Sequence, residues 1–200
     1  MARSVREPNR FVHMAVDLVN TVRDGRDHLV APYDLHELLI DWGEPEPVEA
    51  DINDVFDVVE LRTRLRKVFT AETEDEAAEV LNEVLAKSAT APYLSHHEEV
   101  GWHLHVAKED APWAEWLGAL TATGLAELIS AGGFDRMLTC QSRGCGRVFL
   151  DESRNHSQRY CTQSCATRTR VNAYRARRYG TTTPDDSWTG FGLEGGFDER

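Results

Sequence analysis

The sequence predicts an α+β protein. It should have a helix-rich N-terminal domain with a small antiparallel sheet, followed by a small treble-clef-like or ribbon-like module built around cysteines. Three observations lead to this prediction. Amphipathic helix patterns fill most of the first 135 residues, one segment alternates with the two-residue period of a strand, and all four cysteines lie in one short window. A chain of 200 residues is long enough for one domain and a small module.

Charge is distributed unevenly along the chain. The whole sequence carries a net charge of −12, which by itself argues against nucleic acid as a partner. The segment 140–179, however, holds nine arginines and two acidic residues, a net charge of +7, whereas 1–139 carries −15 and 180–200 carries −4. This asymmetry favours two functional parts, one of which faces a polyanion.

Domain boundaries are predicted from the same changes in composition. Gly132 and Gly133 stop the last helical pattern before the cysteines, so a boundary is expected near residue 135. The predicted parts are an N-terminal domain at 1–135, a basic module at 136–180 and an acidic, disordered tail at 181–200.

The sequence predicts the type of the second element more clearly than that of the first. Residues 11–22 fit either a helix or a strand, because their apolar residues follow a helical stripe but many of them are β-branched. Pro32 precedes Asp34 and Glu37, a pattern typical of the capping-box start of a short helix. The Glu-Pro run at 44–47 predicts the surface loop that follows.

Three further helices are predicted with clearer boundaries. The strongest amphipathic pattern covers 51–70. Thr73 and Glu76 form a second capping-box pattern, which predicts a helix directly after it. Asp110 is predicted to cap a third helix, with Pro112 in its first turn.

Residues 93–107 change from a helical period to the alternating period of a strand, and we predict a hairpin here. Trp102 and Leu104 alternate with His103 and His105. The simplest interpretation places the two histidines on a solvated face of the sheet and the two apolar residues on the protected one.

Several residues of the N-terminal domain are candidates for binding sites. Trp113 and Trp116 lie one helical turn apart, and they either line a ligand pocket or, as such aromatic stripes more often do, belong to the core. Asp17 and Asn20 are polar within an apolar run, so they fit either a buried hydrogen-bond network or contacts to a ligand. A second metal site is an alternative for four clustered histidines, although a solvated strand face is the preferred interpretation; they are His96, His97, His103 and His105.

The four cysteines predict a metal centre. Their spacing is Cys140-x4-Cys145-x15-Cys161-x3-Cys165, which brings two close pairs of thiolates to one tetrahedral ion. Because four protein sulfurs leave no open coordination position, we predict one structural zinc ion. Disulfides, a thiol redox centre and an iron–sulfur cluster fit the expected compartment or the spacing less well. The second pair opens a predicted helix at 162–179, and metal binding would stabilise a module with so small an apolar core.

The cysteine segment resembles the CGNR zinc-finger family. The shared features are the Cys-x4-Cys knuckle, the run Phe149-x-Asp151-x-Ser153-Arg154-Asn155, the aromatic residue before the third cysteine (Tyr160) and the arginine-rich helix after the fourth. The name-giving tetrad of that family reads here Cys165-Ala166-Thr167-Arg168, so Gly and Asn are replaced.

The resemblance extends to the N-terminal part of the chain. Members of that family often carry an N-terminal ABATE domain, and residues 11–23 are similar to the opening of one. The resemblance implies a two-domain, stress-induced transcription regulator.

The basic module is expected to bind DNA. A helix with arginines on most of its faces contacts phosphates on both sides of a groove, and arginine favours bidentate contacts. The candidate contacts are Arg154, Arg159, Arg168, Arg170, Arg175, Arg177 and Arg178. Two alternatives are docking of this helix on the acidic part of the chain, or on an acidic surface of another protein, and a solvated charged helix. RNA is an alternative nucleic acid.

The remaining expectations concern the class and location of the protein. No apolar run approaches the roughly 20 residues of a membrane-spanning helix, and the polar segment 1–10 has no signal-like apolar region behind it, so we expect a cytoplasmic protein. No nucleotide-binding loop or nucleophile elbow is present, and we expect no enzyme activity. The N-terminal domain is expected to sense a small-molecule effector or to form a homodimer.

Overall fold

The architecture is taken from a computed structural model, which describes residues 9–97 and 101–179. The predicted disordered tail at 181–200 lies outside the described residues. Helices dominate, with small antiparallel sheets between them and a cysteine-containing module at the C-terminal end, as the sequence predicts.

The first helix, α1 (Arg10–Val19), settles the choice between helix and strand in favour of the helix. Its stripe buries Met14, Leu18 and Val19 in the main core. The helix ends at Asn20, where its regular hydrogen bonding stops. Burial of one continuous stripe therefore outweighs the strand preference of the β-branched residues.

The second helix, α2 (Pro32–Asp41), begins earlier than a cap at Asp34 would place it. Asp34 is in the first turn, and its carboxylate accepts hydrogen bonds from the backbone N–H groups of Val30 and Ala31, both at 2.9 Å. It therefore acts as the backward-reaching partner of a capping box, and Pro32 occupies the first helical position.

Side-chain caps begin the next two helices, and the cap at Thr73 confirms the predicted one. The helix α3 (Ile52–Thr70) starts at Asp51, whose carboxylate accepts from the N–H of Asn53 at 2.7 Å. The helix α4 (Glu74–Ser88) starts at Thr73, whose hydroxyl accepts from the N–H of Glu76 at 3.2 Å. Each cap satisfies a backbone donor that has no partner within the helix.

The helix α5 (Trp113–Ser130) lies at the centre of the helical layer and packs on α1, α3 and α4. It is capped by Pro112 rather than by the predicted Asp110. The close approach to α1 requires a glycine, because a Cβ on Gly124 would come within 2.5 Å of Phe11. No helix in the described part of the chain is long and apolar enough to cross a membrane.

Three small antiparallel sheets complete the described fold. Each has two strands: β1 (Val22–Arg23) with β2 (Arg26–Asp27), β3 (Tyr93–His97) with β4 (Gly101–His105), and β5 (Met137–Thr139) with β6 (Val148–Leu150). The first hairpin is tied to α3 by Arg62, which is buried and makes two 2.7 Å contacts to the Asp27 carboxylate. That guanidinium lowers the pKa of Asp27 even though burial raises it.

The expected orientation of the second hairpin is wrong. Trp102 and Leu104 are 71% and 59% exposed, whereas His103 and His105 are half-buried. The ring of His105 stacks on that of Tyr93, its cross-strand neighbour, with 5.1 Å between centroids, and lies tilted against the ring of His103 at 4.6 Å. The alternating sequence pattern separated the two faces of the hairpin correctly. The histidine face is the less solvent-exposed one, because contacts between its aromatic rings cover it.

The third hairpin belongs to two parts of the molecule at once. Met137, Val148 and Leu150 lie in the same buried core as the N-terminal helices, while the loop between their strands carries two of the cysteines. A 3-10 turn at Phe134–Arg136 connects α5 to β5. The cysteine module is therefore packed directly onto the N-terminal domain.

A side-chain amide fixes this contact. Asn20 at the end of α1 donates from Nδ2 to the carbonyl of Val148 and accepts at Oδ1 from the N–H of the same residue, both at 2.9 Å. The Asn20 side chain thus makes the two backbone hydrogen bonds with Val148 of β6 that a neighbouring strand would make. Arg66 of α3 adds a second link by donating to the carbonyls of Val19 and Gly146, at 3.1 and 3.0 Å.

Replacing Asn20 tests this link. Asn20→Ala leaves both backbone groups of Val148 without their partners, so we expect the free energy of unfolding to fall by about 1–3 kcal/mol. Urea denaturation followed by circular dichroism measures the loss. Asn53→Ala, which alters an exposed asparagine in the first turn of α3, is the control and should change stability by less than about 0.5 kcal/mol. Equal effects of both variants would show that the amide does not hold the module.

Candidate metal centre and basic helix

The metal-binding residues lie at the ends of three elements. Cys140 follows β5, Cys145 precedes β6, Cys161 lies just before the last helix, α6 (Gln163–Tyr179), and Cys165 is in its first turn. One pair of sulfurs thus comes from the hairpin loop and the other from the helix start, which is the treble-clef-like arrangement expected from the sequence.

The four sulfurs converge on one point. All of the Sγ atoms lie within 4.8 Å of one another, and the Sγ–Sγ distances among three of them are 3.7 Å for Cys145–Cys161, 3.8 Å for Cys161–Cys165 and 3.7 Å for Cys165–Cys145. A tetrahedron of sulfurs about 2.3 Å from a central zinc ion has edges of about 3.8 Å. The donor set and its dimensions therefore fit one zinc ion held by four thiolates.

Backbone geometry shapes the first knuckle. Gly144 and Gly146 on either side of Cys145 have φ values of 74° and 64°, a region that residues with a side chain rarely adopt. The N–H of Cys145 donates to the carbonyl of Ser142 at 2.9 Å, and that of Cys140 donates to Arg147 at 2.8 Å. The two glycines thus let the chain turn tightly enough to return Cys145 to Cys140.

The pKa values of two of the four thiols are shifted in opposite directions by their surroundings. Burial raises the pKa of Cys145, but hydrogen bonds from the backbone and side chain of Arg147 and contacts with two other cysteines lower it more, to about 7. The pKa of Cys161 is raised by its burial and by the three sulfurs around it. Four thiolates this close repel one another, and a bound cation is what allows all of them to be ionised.

A buried carboxylate organises the loop between the two cysteine pairs. Asp151 is fully buried, and it accepts hydrogen bonds from the N–H groups of Ser153 at 2.8 Å and Gln158 at 3.0 Å. Burial raises the pKa of Asp151, but these hydrogen bonds outweigh it and lower the pKa overall. The loop is also attached to β5 through the N–H of Gln141, which donates to the carbonyl of Arg159 at 3.0 Å.

Arg168 has a role inside the module. Its guanidinium donates to the hydroxyl of Ser142 from Nε at 3.2 Å and from Nη2 at 3.0 Å, and lies 3.6 Å from the sulfur of Cys165. Ser142, which is buried, also accepts from the hydroxyl of Thr169 at 3.2 Å. Sequence reasoning missed Ser142, because a single serine beside a cysteine carries no distinguishing pattern.

The two replaced positions of the tetrad lie within α6. Ala166 is buried and Thr167 is exposed. A helical backbone does not require glycine at 166, so Ala166 is compatible with the local conformation. The kept arginine, Arg168, supplies the contact to Ser142 described above.

The other predicted nucleic-acid contacts are displayed outward. All seven candidate arginines are exposed, and between Gln163 and Arg178 only Cys165 and Ala166 are buried. Arg177 donates to the carbonyl of Ala173 in its own helix, and Arg178 contacts Tyr174. Within residues 9–97 and 101–179, no ion pair joins Arg154, Arg159, Arg170 or Arg175 to a carboxylate.

A groove runs beside the start of α6. It has a volume of about 550 Å³ and separates the loop that precedes Cys161 from the first turns of the helix. Arg159 and Arg170 lie on its two sides, and Ser157, Gln158 and Gln163 add polar groups to its lining. A groove flanked by two arginines with further hydrogen-bonding groups suits a phosphate chain.

The predicted ligand-pocket residues have different surroundings. Trp113 and Trp116 contact each other edge to face, 5.9 Å between centroids, and pack against the main core, and Trp113 donates to the carbonyl of Glu49 at 2.8 Å. Asn20 is engaged with β6, and Asp17 is exposed on α1. In the described part of the chain, groups of three or more potential metal ligands meet only at the four cysteines, so His96, His103 and His105 form no such cluster there, and the side chain of His97 lies outside the described residues.

Comparison with known families agrees with this organisation. The ABATE family model, described as "Putative stress-induced transcription regulator", matches residues 12–132. The CGNR zinc-finger model matches residues 136–178. A search of curated proteins finds no match to the chain.

Removing one sulfur should remove the zinc. We expect wild-type protein to contain one zinc ion per chain by elemental analysis, and Cys161→Ser to contain less than about a tenth of that, because a serine hydroxyl is a poor replacement for a thiolate. Ser164→Ala lies in the same segment, leaves all four sulfurs in place and should keep its zinc. Full zinc retention by Cys161→Ser would contradict the four-sulfur site.

Proposed function

Because the chain belongs to the ABATE family and carries a CGNR zinc finger, we propose that it regulates transcription by binding DNA through the arginines of its zinc module. The observation that carries the proposal is the exposed helix α6, whose arginines project from a metal-clamped base. Zinc binding itself rests on the cysteine geometry, and the family description supports a regulatory role.

The charge of the helix supports a polyanionic partner. The segment 140–179 carries +7, and the acidic N-terminal domain leaves Arg154, Arg159, Arg170 and Arg175 without an ion pair in the described residues. Docking of α6 on the acidic part of the same chain is thus not seen in residues 9–97 and 101–179. When a helix with so many solvent-exposed cations binds a nucleic acid, counterions are released from the phosphates, and this release makes the free energy of binding more favourable.

Zinc contributes by positioning rather than by chemistry. With all four ligands supplied by cysteine, the ion has no open position for a substrate or a water molecule. When bound, zinc fixes the direction of α6 relative to the hairpin β5–β6. The arginines on the first turns of the helix then lie beside the groove, and Arg175 and Arg178 extend the basic surface along it.

We propose that Arg159 and Arg170 grip a phosphate on each side of the groove. Gln163 and Asn172 are candidates for contacts to base edges, since amide side chains can both donate and accept. Arg168 is the least available of the seven candidates because two of its nitrogens donate to Ser142. Its replacement should affect the module rather than the DNA contact alone.

Other expectations stay predictions within this proposal. These are a small-molecule effector, a homodimer, a cytoplasmic location and the absence of enzyme activity. RNA, or an acidic surface of another protein, would be the alternative partner of the same arginines, and the experiment below distinguishes DNA from RNA.

Salt dependence of binding is the direct test. Fluorescence anisotropy with random-sequence duplex DNA should show affinity that falls steeply as salt rises, because each phosphate contact contributes about −0.9 to the slope of log K against log salt. Arg170→Ala should reduce the magnitude of that slope by about 0.9 and weaken binding about fivefold at low salt.

The control for this test removes a positive charge elsewhere. Lys67→Ala changes an exposed cation on α3 and should leave both the slope and the affinity nearly unchanged. Absence of duplex binding at low salt, or equal effects of the two variants, would contradict DNA binding by α6. Tighter binding to single-stranded RNA with the same slope would move the proposal to RNA.

A further inference from the structure

The hairpin β3–β4 presents one apolar face to solvent. Its antiparallel register pairs Leu94 with Leu104 and His96 with Trp102, which places these four side chains on one face because successive residues of a strand alternate. Tyr93, Ser95, His103 and His105 form the opposite face. The four residues Leu94, His96, Trp102 and Leu104 are called the hairpin face below.

The hairpin face is unusually exposed for its composition. Leu94 is 65% exposed, Trp102 is 71% exposed and Leu104 is 59% exposed. The imidazole of His96 packs edge to face on Trp102 at 5.3 Å, so the aromatic ring is supported from within the face and left uncovered outside. Adjacent large apolar side chains of this kind mark an interaction surface more often than a solvated one.

The hairpin is also a weak structural unit by itself. It has only two strands, and a two-stranded sheet is marginally stable in water without packing on one of its faces. Its base is anchored, since Val106 and Ala107 are buried with Ala119 of α5 and the N–H of Thr90 donates to the carbonyl of Val106 at 2.9 Å. Beyond that base, covering the hairpin face would supply the missing packing.

The size of the hairpin face suits the apolar centre of a dimer interface. Leu94, Trp102 and Leu104 together expose about 400 Å². An interface of standard size buries about 800 Å² on each partner, of which roughly 60% is apolar, or about 480 Å². The hairpin face therefore supplies most of the apolar area that one copy would contribute.

We propose that the hairpin face is the contact between two copies of this chain, packed face to face about a two-fold axis. A two-fold contact joins the same patch on both copies, so the patch must be complementary to itself. The strand residues 93–97 and 101–105 include no Asp, Glu, Lys or Arg, so the hairpin face itself brings no like charges together, and the acidic residues Glu98 and Glu99 lie in the sequence between the two strands.

Charge favours a second copy over a cationic protein as the occupant. Each chain carries a net charge of −12, and two copies repel wherever their acidic surfaces meet. An uncharged apolar face minimises that repulsion. A cationic partner, in contrast, would gain more from the acidic helices than from a face with no charge to attract it. The dimer does not depend on DNA binding and is measured without nucleic acid.

Sedimentation velocity of the full-length chain over a range of concentrations tests the proposal. Wild-type protein should dimerise with a dissociation constant of roughly micromolar, as for a small interface. Leu94→Thr combined with Leu104→Thr keeps a favourable cross-strand pair but removes the apolar centre, and it should weaken dimerisation at least tenfold. Circular dichroism and zinc content, both unchanged, would show that this variant is folded.

A matched control and a local measurement complete the experiment. Phe56→Gln removes an apolar side chain that is 63% exposed on α3, and dimerisation should be unaffected. Hydrogen exchange of the amides of 101–105 should slow as wild-type concentration rises. A wild-type chain that stays monomeric at high concentration would overturn the proposal. So would a dimer that persists in the Leu94→Thr, Leu104→Thr variant or is lost in Phe56→Gln.

Discussion

The convergence of four cysteine sulfurs on one point is the constraint on which the functional part of the molecule depends. Only two residues of α6 between Gln163 and Arg178, Cys165 and Ala166, are buried, so apolar packing does little to fix where that helix lies. The sulfur of Cys165, together with Cys161 just ahead of the helix, ties its start to the hairpin loop. Because five of the seven candidate arginines follow in the same helix, the metal centre determines the direction of that part of the basic surface.

The metal centre is in turn fixed to the N-terminal domain. Strand β6 lies between the two: Val148 and Leu150 belong to the main core, while Cys145 three residues before Val148 binds the metal. Asn20 and Arg66 satisfy backbone groups of this strand and of the knuckle beside it. Zinc binding and packing of the N-terminal core are therefore linked, because both select the same position of β6.

Local patterns in the sequence predicted local structure well. The cap at Thr73 and the four metal ligands follow rules that involve residues close together in the chain, and the structure agrees with them. The role of Asn20 could not be predicted, because its partner Val148 is 128 residues away. The hairpin shows a different limit: alternation separates two faces, but it does not say which one the rest of the protein covers. The exposed Trp102 is the case in which the usual assumption, apolar side inward, is wrong.

The effect of the net charge on DNA binding depends on where the charged residues lie. A net charge of −12 would repel DNA if it surrounded the arginines evenly. The basic helix instead belongs to a module that is attached to the acidic domain through β6, and four of the module's arginines have no carboxylate partner in the described residues. Within residues 9–97 and 101–179, these four arginines have no salt bridge that would have to be broken before DNA could bind. In a two-fold dimer the two basic helices would face two related half-sites on the DNA. The spacing of those half-sites would then report the distance between the helices. The acidic domains would disfavour dimers bound close together on the same DNA.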